Sequence, residues 1–478
     1  MTTQSRVTIN VMAPLVVGNP ADPNNEASKA AWEQFDKHLA EIKTYGVDGV
    51  STDVWWGLVE TSENVYDWSF YDRLSDHIIA AGLKWIPILS FHQCGGNIGD
   101  DCYVPLPSWL WTKLSGKVPS GKAAAVKFVS EQGNECNEYV SFWATDLVLD
   151  DYVRLMKAFQ EHFAAKVGSI AEINVSLGPS GELRYPAYNK HDKGTDWPNR
   201  GALQCYSELA SASFSAHILA KYTDEAGVEK AWGKPVTDQG QPIKPPKDAS
   251  RFFANNDHLN TQYGRDLVDW YADSLITHGR KVMTAALEVF AADDASFKGI
   301  DLGAKIPGIH WRIGNFQGET IVLADRLAEL PAGLIRTSGK DWGADADGRG
   351  YRTLLGLFKD LQQVRPASRV VLHFTCLEMP DGDGGHSVAS LAHQLVLWVG
   401  QEAQRQGIPI KGENALAWNL PKKESWQLMR SVLAAPGQNG AYQGLTILRM
   451  ADILANGVCK SELAATMSFI QPPAAKAV

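Results

Sequence analysis

The sequence predicts an α/β protein, a single (β/α)8 TIM barrel with long βα-loop insertions forming a lobe over its active-site face. Three observations predict it. Eight short β-prone runs recur along the chain, helical stripes of apolar residues lie between most of them, and polar or acidic residues gather where the runs end.

The β-prone runs are Val7–Leu15, Val47–Trp56, Trp85–Phe91, Ile173–Leu177, Lys305–Trp311, Val370–Cys376, Pro409–Glu413 and Gly444–Arg449. After the first, Trp32, Phe35, Leu39 and Ile42 step by three and four until Gly46 stops the helix. Ahead of the fourth, Tyr152, Met156, Phe159 and Phe163 form a second stripe before Gly168, in a helix expected to begin near Asp150. Leu391, Leu395 and Trp398 do the same before Gly407, ahead of the seventh. Strands alternating with helices predict βαβ units and a parallel sheet, and eight units suggest closure. A doubly wound open sheet is the alternative, but no dinucleotide-binding glycine fingerprint follows the first strand. Two long segments, about 92–149 and 180–303, interrupt the alternation. Insertions of this length usually carry function. In a parallel barrel they leave from the face where active sites are built. One domain over residues 1–478 is therefore expected.

Composition narrows the class. With 45% hydrophobic and 21% charged residues, the chain is of ordinary globular make-up. No apolar run reaches the roughly 18 residues of a transmembrane helix, so no membrane partner is expected. A formal charge of −9 argues against nucleic acid as a partner and says nothing about neutral sugars. Sixteen Trp, fourteen Tyr and sixteen Phe are compatible with stacking on pyranose rings, although a large core accounts for them more simply. Of six cysteines, Cys94 and Cys102 bracket the glycine-rich run from Gly95 to Asp101. A disulfide there would close a small loop and imply an oxidising compartment. The N-terminus lacks the charged and apolar regions of a signal peptide. Both a cytoplasmic chain and a secreted one with its signal removed stay open.

The run ends carry the chemistry. The second delivers Asp53, the third His92 and Gln93, the fourth Glu182 and Arg184, the fifth Lys305 through His310. The sixth delivers Thr375 and Glu378, the seventh Glu413, Asn414 and Ala415, and the eighth Arg449. Polar residues often end strands for solubility alone, but their convergence on one rim is harder to explain that way. Glycosidic cleavage needs two facing carboxyls, one protonated to donate to the leaving oxygen and one ionised. Glu182 and Glu413 are the natural pair, each following a glycine just beyond an apolar run. For Glu378 a structural carboxylate is expected, paired with Arg449 or a lysine.

The segments FHQCGGNIGD (91–100), SLGPSGELRYPAY (176–188), HFTCLEM (373–379) and GENAL (412–416) closely resemble signatures of the β-amylases, glycoside hydrolase family 14. VDGVSTDVWWG (47–57), KIPGIHW (305–311) and GLTILRM (444–450) are similar to the same family, in the same order. The resemblance implies Glu182 as general acid, Glu413 as general base, and Thr375 as a threonine that positions base and water. It implies substrate contacts from Asp53, His92, Asp100, Lys305, His310, Asn414, Ala415 and Arg449. Arg184, inside the GELRYP motif, is assigned to the same set. The Gly95–Asp101 run matches a mobile loop that closes on substrate. DDCYVPLPSW (100–109) resembles bacterial members, in which the matching cysteines form a disulfide, here Cys94 with Cys102. Glu60 and Glu63 fall near the calcium site of bacterial members. The spacing does not supply the other ligands among Asp146, Asp150 and Asp151, so no metal is assigned and no cofactor is required.

The expected reaction is exo-acting, inverting release of β-maltose from α-1,4-glucan ends, with carboxyls roughly 6.5–9.5 Å apart to admit a water, against about 5–5.5 Å for retention. A monomer without a separate starch-binding module is expected, and hence weak action on raw starch. Two rivals stand beside this reading: a retaining (β/α)8-barrel glycosidase and a non-catalytic glucan binder.

Overall fold

The structure is a computed structural model that describes residues 6–96, 99–236, 243–317, 320–337 and 350–471, with 315–317 and 320–323 described as backbone only. Eight parallel strands close into a barrel: β1 (Thr8–Met12), β2 (Gly49–Trp55), β3 (Lys84–Ser90), β4 (Glu172–Val175), β5 (Asp301–Ile306), β6 (Val370–Phe374), β7 (Ile410–Glu413) and β8 (Gly444–Ile447). Their spatial order follows the chain, and β1 closes on β8 with Thr8 opposite Gly444. β2 and β6 are buried at every residue. Both faces of a parallel sheet are covered, which is why β6 reads as a nearly continuous apolar run, whereas β2 carries Ser51, Thr52 and Asp53 into the barrel wall.

Eight helices complete the units: α1 (Glu26–Thr44), α2 (Ser69–Ala80), α3 (Thr145–Phe163), α4 (Gln262–Phe290), α5 (Arg352–Leu361), α6 (Ala392–Gln406), α7 (Lys423–Val432) and α8 (Gly457–Phe469). In α1 the expected stripe of Trp32, Phe35, Leu39 and Ile42 is buried, and the Asn25 side chain caps the first turn by accepting the Ser28 N–H at 2.7 Å. α3 begins five residues before the expected Asp150, behind a short turn at Phe142–Ala144.

The fifth strand lies earlier in the chain than the sequence predicts. β5 covers Asp301–Ile306, so Lys305–Trp311 overlaps it by only two residues. Its first half, Asp-Leu-Gly-Ala, lacks the β-branched residues that mark a strand, and burial inside the barrel takes their place. A hairpin follows it at Gly314–Gln317 and Thr320–Leu323, which was not foreseen.

The insertions build the lobe. α4 has 29 residues, about 44 Å at 1.5 Å per residue, and packs along α3. A stack of rings, Trp270 on Trp143 at 5.2 Å, Trp143 on Tyr185 at 5.4 Å and Tyr185 on Tyr271 at 3.8 Å, joins α4 to the segment that leaves β4. Tyr185 Oη donates to the Tyr271 carbonyl at 2.9 Å, and Tyr271 Oη donates to the Pro331 carbonyl at 2.9 Å. Among the described residues, no helix is long and apolar enough to cross a membrane.

Candidate active site

The C-terminal ends of the strands open into one cleft of about 580 Å³. All the residues expected to act on substrate line it, from Asp53 on β2 to Arg449 after β8.

Glu182 follows a one-turn helix, Pro179–Gly181. Gly181 has φ +78°, and a Cβ there would stand 3.3 Å from the His92 ring. Only glycine adopts that turn cheaply so close to the histidine. Arg184 Nε donates to Glu182 Oε2 at 2.8 Å. Burial pushes the Glu182 carboxyl above its ordinary range, the Arg184 and Lys305 cations pull it back, and the Glu413 charge adds to the rise. The net direction is up, which keeps a proton available.

Glu413 is the last residue of β7, and a Cβ on Gly412 before it would lie 2.2 Å from Leu377. Lys305 Nζ stands 2.8 Å from Glu413 Oε1. Burial works against the Lys305 ammonium, but Glu413 and Glu182 more than compensate and raise it above its ordinary value. It is a buried cation paired with Glu413 and near enough to Glu182 to act on its charge. Thr375 Oγ1 accepts the Gly308 N–H at 2.6 Å, which leaves its hydroxyl hydrogen free to donate into the cleft.

The remaining polar groups are held by neighbours. Ser90 Oγ donates to Asp53 Oδ1 at 2.8 Å; burial raises the Asp53 carboxyl, opposed by Arg449. His92, its Nδ1 2.8 Å from Ser176 Oγ, is pushed down to about 3 by burial and the Lys305 and Arg184 charges. His310, its Nδ1 2.6 Å from Ser390 Oγ, is pushed down to about 4 by burial. Both imidazoles are therefore neutral at pH 7 and offer hydrogen bonds rather than charge. Asn414 spends both ends of its amide on Leu448, donating to its carbonyl at 2.9 Å and accepting its N–H at 2.8 Å. That clamp places Arg449. Asp100 Oδ2 accepts the Gly95 N–H at 2.9 Å, whereas Asn97 and Ile98 of the expected mobile loop lie outside the described residues.

Three expectations change or sharpen. Glu378 is not paired with Arg449 or a lysine: its oxygens accept the backbone N–H groups of Ala415 at 3.0 Å and Leu416 at 2.8 Å. Burial pushes its carboxyl up to about 7 against those bonds. Cys94 and Cys102 lie with sulfurs 3.2 Å apart as free thiols. Near Glu60 and Glu63, protein cations fill the space a metal would need. Lys113 Nζ lies 2.5 Å from Glu63 and 2.6 Å from Asp151, and Arg154 reaches Asp151 at 2.5 Å and Glu60 at 3.8 Å. Asp146 pairs elsewhere, with Lys281 at 2.6 Å. The donor set does not fit a divalent cation.

Sequence reasoning missed the groups that orient these side chains. Ser176 and Ser390 hold the histidines, and Asn189 holds Arg184 at 2.8 Å. Nothing in local sequence marks a serine as a histidine's partner. It also passed over Trp197 and Trp418, which line the cleft while 44% and 58% exposed. Large aromatic rings left in water at a cleft mouth are a signal that composition alone could not localise.

Two carboxyl groups in one cleft, one paired with an arginine and the other with a lysine, at the mouth of a parallel barrel among neutral hydrogen-bonding groups, define a glycoside hydrolase. The family model described as Glycosyl hydrolase family 14 matches residues 14–475, and the chain belongs to that family. It is 37% identical over 433 residues to the thermophilic beta-amylase of Thermoanaerobacterium thermosulfurigenes, covering 90% of this chain and 70% of that one. To the beta-amylase of Niallia circulans it is 35% identical over 97% of this chain and 70% of the other. The crystal structure of the catalytic domain of beta-amylase from Paenibacillus polymyxa superposes with a TM-score of 0.78 at 32% identity, covering 98% of this chain and 99% of that one. A beta-galactosidase from the psychrophilic Marinomonas ef1, at 11% identity and a TM-score of 0.51, shares the fold alone.

Proposed function

We propose that this hydrolase releases β-maltose from the non-reducing ends of α-1,4-glucans by a single displacement, with Glu182 as general acid and Glu413 as general base. The observation that carries the assignment is the unequal surroundings of two carboxyls in one cleft. Burial holds the proton on Glu182, whereas Glu413 is ion-paired to Lys305. Glu182 protonates the glycosidic oxygen as the C1–O bond breaks. A water deprotonated by Glu413 attacks C1 from the opposite face, so configuration inverts. The Thr375 hydroxyl donates to that water or to Glu413. Asp53, His92 and Asp100 hold the sugar that ends the chain, and Lys305, His310, Asn414, Ala415 and Arg449 make further contacts with substrate. Arg184 acts on substrate through Glu182, since its Nε donates to that carboxyl while Nη1 donates to the Tyr185 carbonyl and Asn189 and Nη2 donates to Ser180. The chain works as one catalytic unit and a monomer. In an oxidising compartment outside the cell, Cys94 and Cys102 join in a disulfide beside the 95–101 loop.

Time-resolved proton NMR of maltopentaose digestion tests the reading. The expected first products are β-maltose and maltotriose. First-formed α-maltose would overturn inversion, and first products other than maltose and maltotriose would overturn the maltose-releasing exo assignment.

A further inference from the structure

Glu138 lies in the insertion between β3 and α3, 6% exposed, one residue back from the cleft wall. Its Oε1 accepts the Ser180 N–H at 2.6 Å, and its Oε2 accepts from Asn189 Nδ2. Its backbone carbonyl accepts the Gln93 N–H at 2.7 Å. The two side-chain partners pass the restraint on. Asn189 Oδ1 accepts from Arg184 Nη1 at 2.8 Å, and Ser180 Oγ accepts from Arg184 Nη2 at 3.0 Å. The remaining nitrogen of that guanidinium, Nε, is on Glu182.

We propose that Glu138 is a positioning residue for the acid: through Ser180, Asn189 and Arg184 it fixes where the Glu182 carboxyl points, and its charge offsets that of Arg184. The proposal rests on Glu182 being the general acid. An arginine beside such a group is two-edged, because it orients the carboxyl but favours the ionised form that cannot donate. A buried carboxylate on the far side of the guanidinium answers the second effect. The groups that face Glu182 are Arg184 and Tyr188 from its own segment, Lys305 from β5, Cys376 after β6 and Glu413 from β7. Glu138 acts on the arginine instead. Ser180, at φ +55°, sits in the left-handed region, and the hydrogen bond from its backbone N–H to Glu138 Oε1 holds it there.

The test compares two substrates of the full chain, maltopentaose, whose leaving oxygen needs a proton, and α-maltosyl fluoride, whose fluoride leaves without one. In Glu138→Gln, kcat on maltopentaose is expected to fall by about 30-fold, less than the roughly 10²–10⁴-fold of losing the acid itself, and on the fluoride by less than about twofold. The basic limb of its pH–kcat profile should move to lower pH, because Arg184 is then uncompensated. Glu138→Asp, which keeps the charge, should restore that limb. Ser180→Ala should show the same split between substrates with smaller amplitude, and it carries the test if Glu138→Gln does not fold. An equal fall on both substrates with an unmoved limb would make the residue merely structural and overturn the proposal. Glu182→Gln is the control. If it shows the split and the Glu138 variants do not, only this proposal falls; if Glu182→Gln loses both substrates equally, the acid assignment falls and takes this proposal with it.

Discussion

At the scale of single residues, the cleft is a problem in placing protons. With the Glu182 carboxyl raised by burial and by Glu413, its protonated form persists above the ordinary glutamate range. Activity then falls as pH rises through that raised value, so the basic limb of kcat/KM on maltopentaose should lie above the ordinary glutamate pKa. Glu182→Gln and Glu413→Gln should each lower kcat on maltopentaose by about 10²–10⁴-fold. A reducing-sugar assay with circular dichroism of the variants separates this from misfolding. The Glu60 cluster gives a second prediction. Because Lys113 and Arg154 already neutralise it, EDTA should leave the melting temperature of the wild type unchanged. In a Lys113→Ala/Arg154→Ala double variant, calcium should raise it.

At the scale of elements, the short segment after β7 shows how a site is held by backbone. Both Glu378 oxygens are spent on the amides of Ala415 and Leu416. Glu378→Gln leaves one acceptor for two amides, a loss of about 1.5–3 kcal/mol. It should loosen the turn beside Glu413, lower kcat and raise KM together, both readable by steady-state kinetics. This element also shows where sequence is informative. GENAL and its neighbours could be placed at a strand end because apolar runs and glycines are local signals. That Glu378 serves amides rather than a cation could not, since its partners are 37 and 38 residues away. β5 was legible only in part for a related reason: its first half is strand by burial, not by propensity. The hairpin after β5 carries no turn signal strong enough to separate it from loop.

At the scale of the whole molecule, the barrel interior contains a buried polar triad. Glu172 lies 2.5 Å from His373 Nε2 and 2.5 Å from Lys411 Nζ, all three buried. Burial would raise the Glu172 carboxyl, but Lys411 and His373 override it and hold it well below the ordinary range. A carboxyl depressed in the folded state contributes stability above its unfolded pKa, and that stability is lost as pH falls. Urea unfolding should therefore show stability declining below about pH 4.5, with Glu172 as one contributor. Glu172→Gln strands a buried lysine and should cost about 3–5 kcal/mol at pH 7.

The ring stack from Trp270 to Tyr271 ties the acid-bearing segment to α4 on the outside of the barrel, beside its Leu183 N–H bond to the Lys305 carbonyl of β5. Heat that softens this outer layer would misalign the proton donor while the inner sheet is intact. Turnover should then fade several degrees before ellipticity does, so that the enzyme fails first as a catalyst and only later as a folded body.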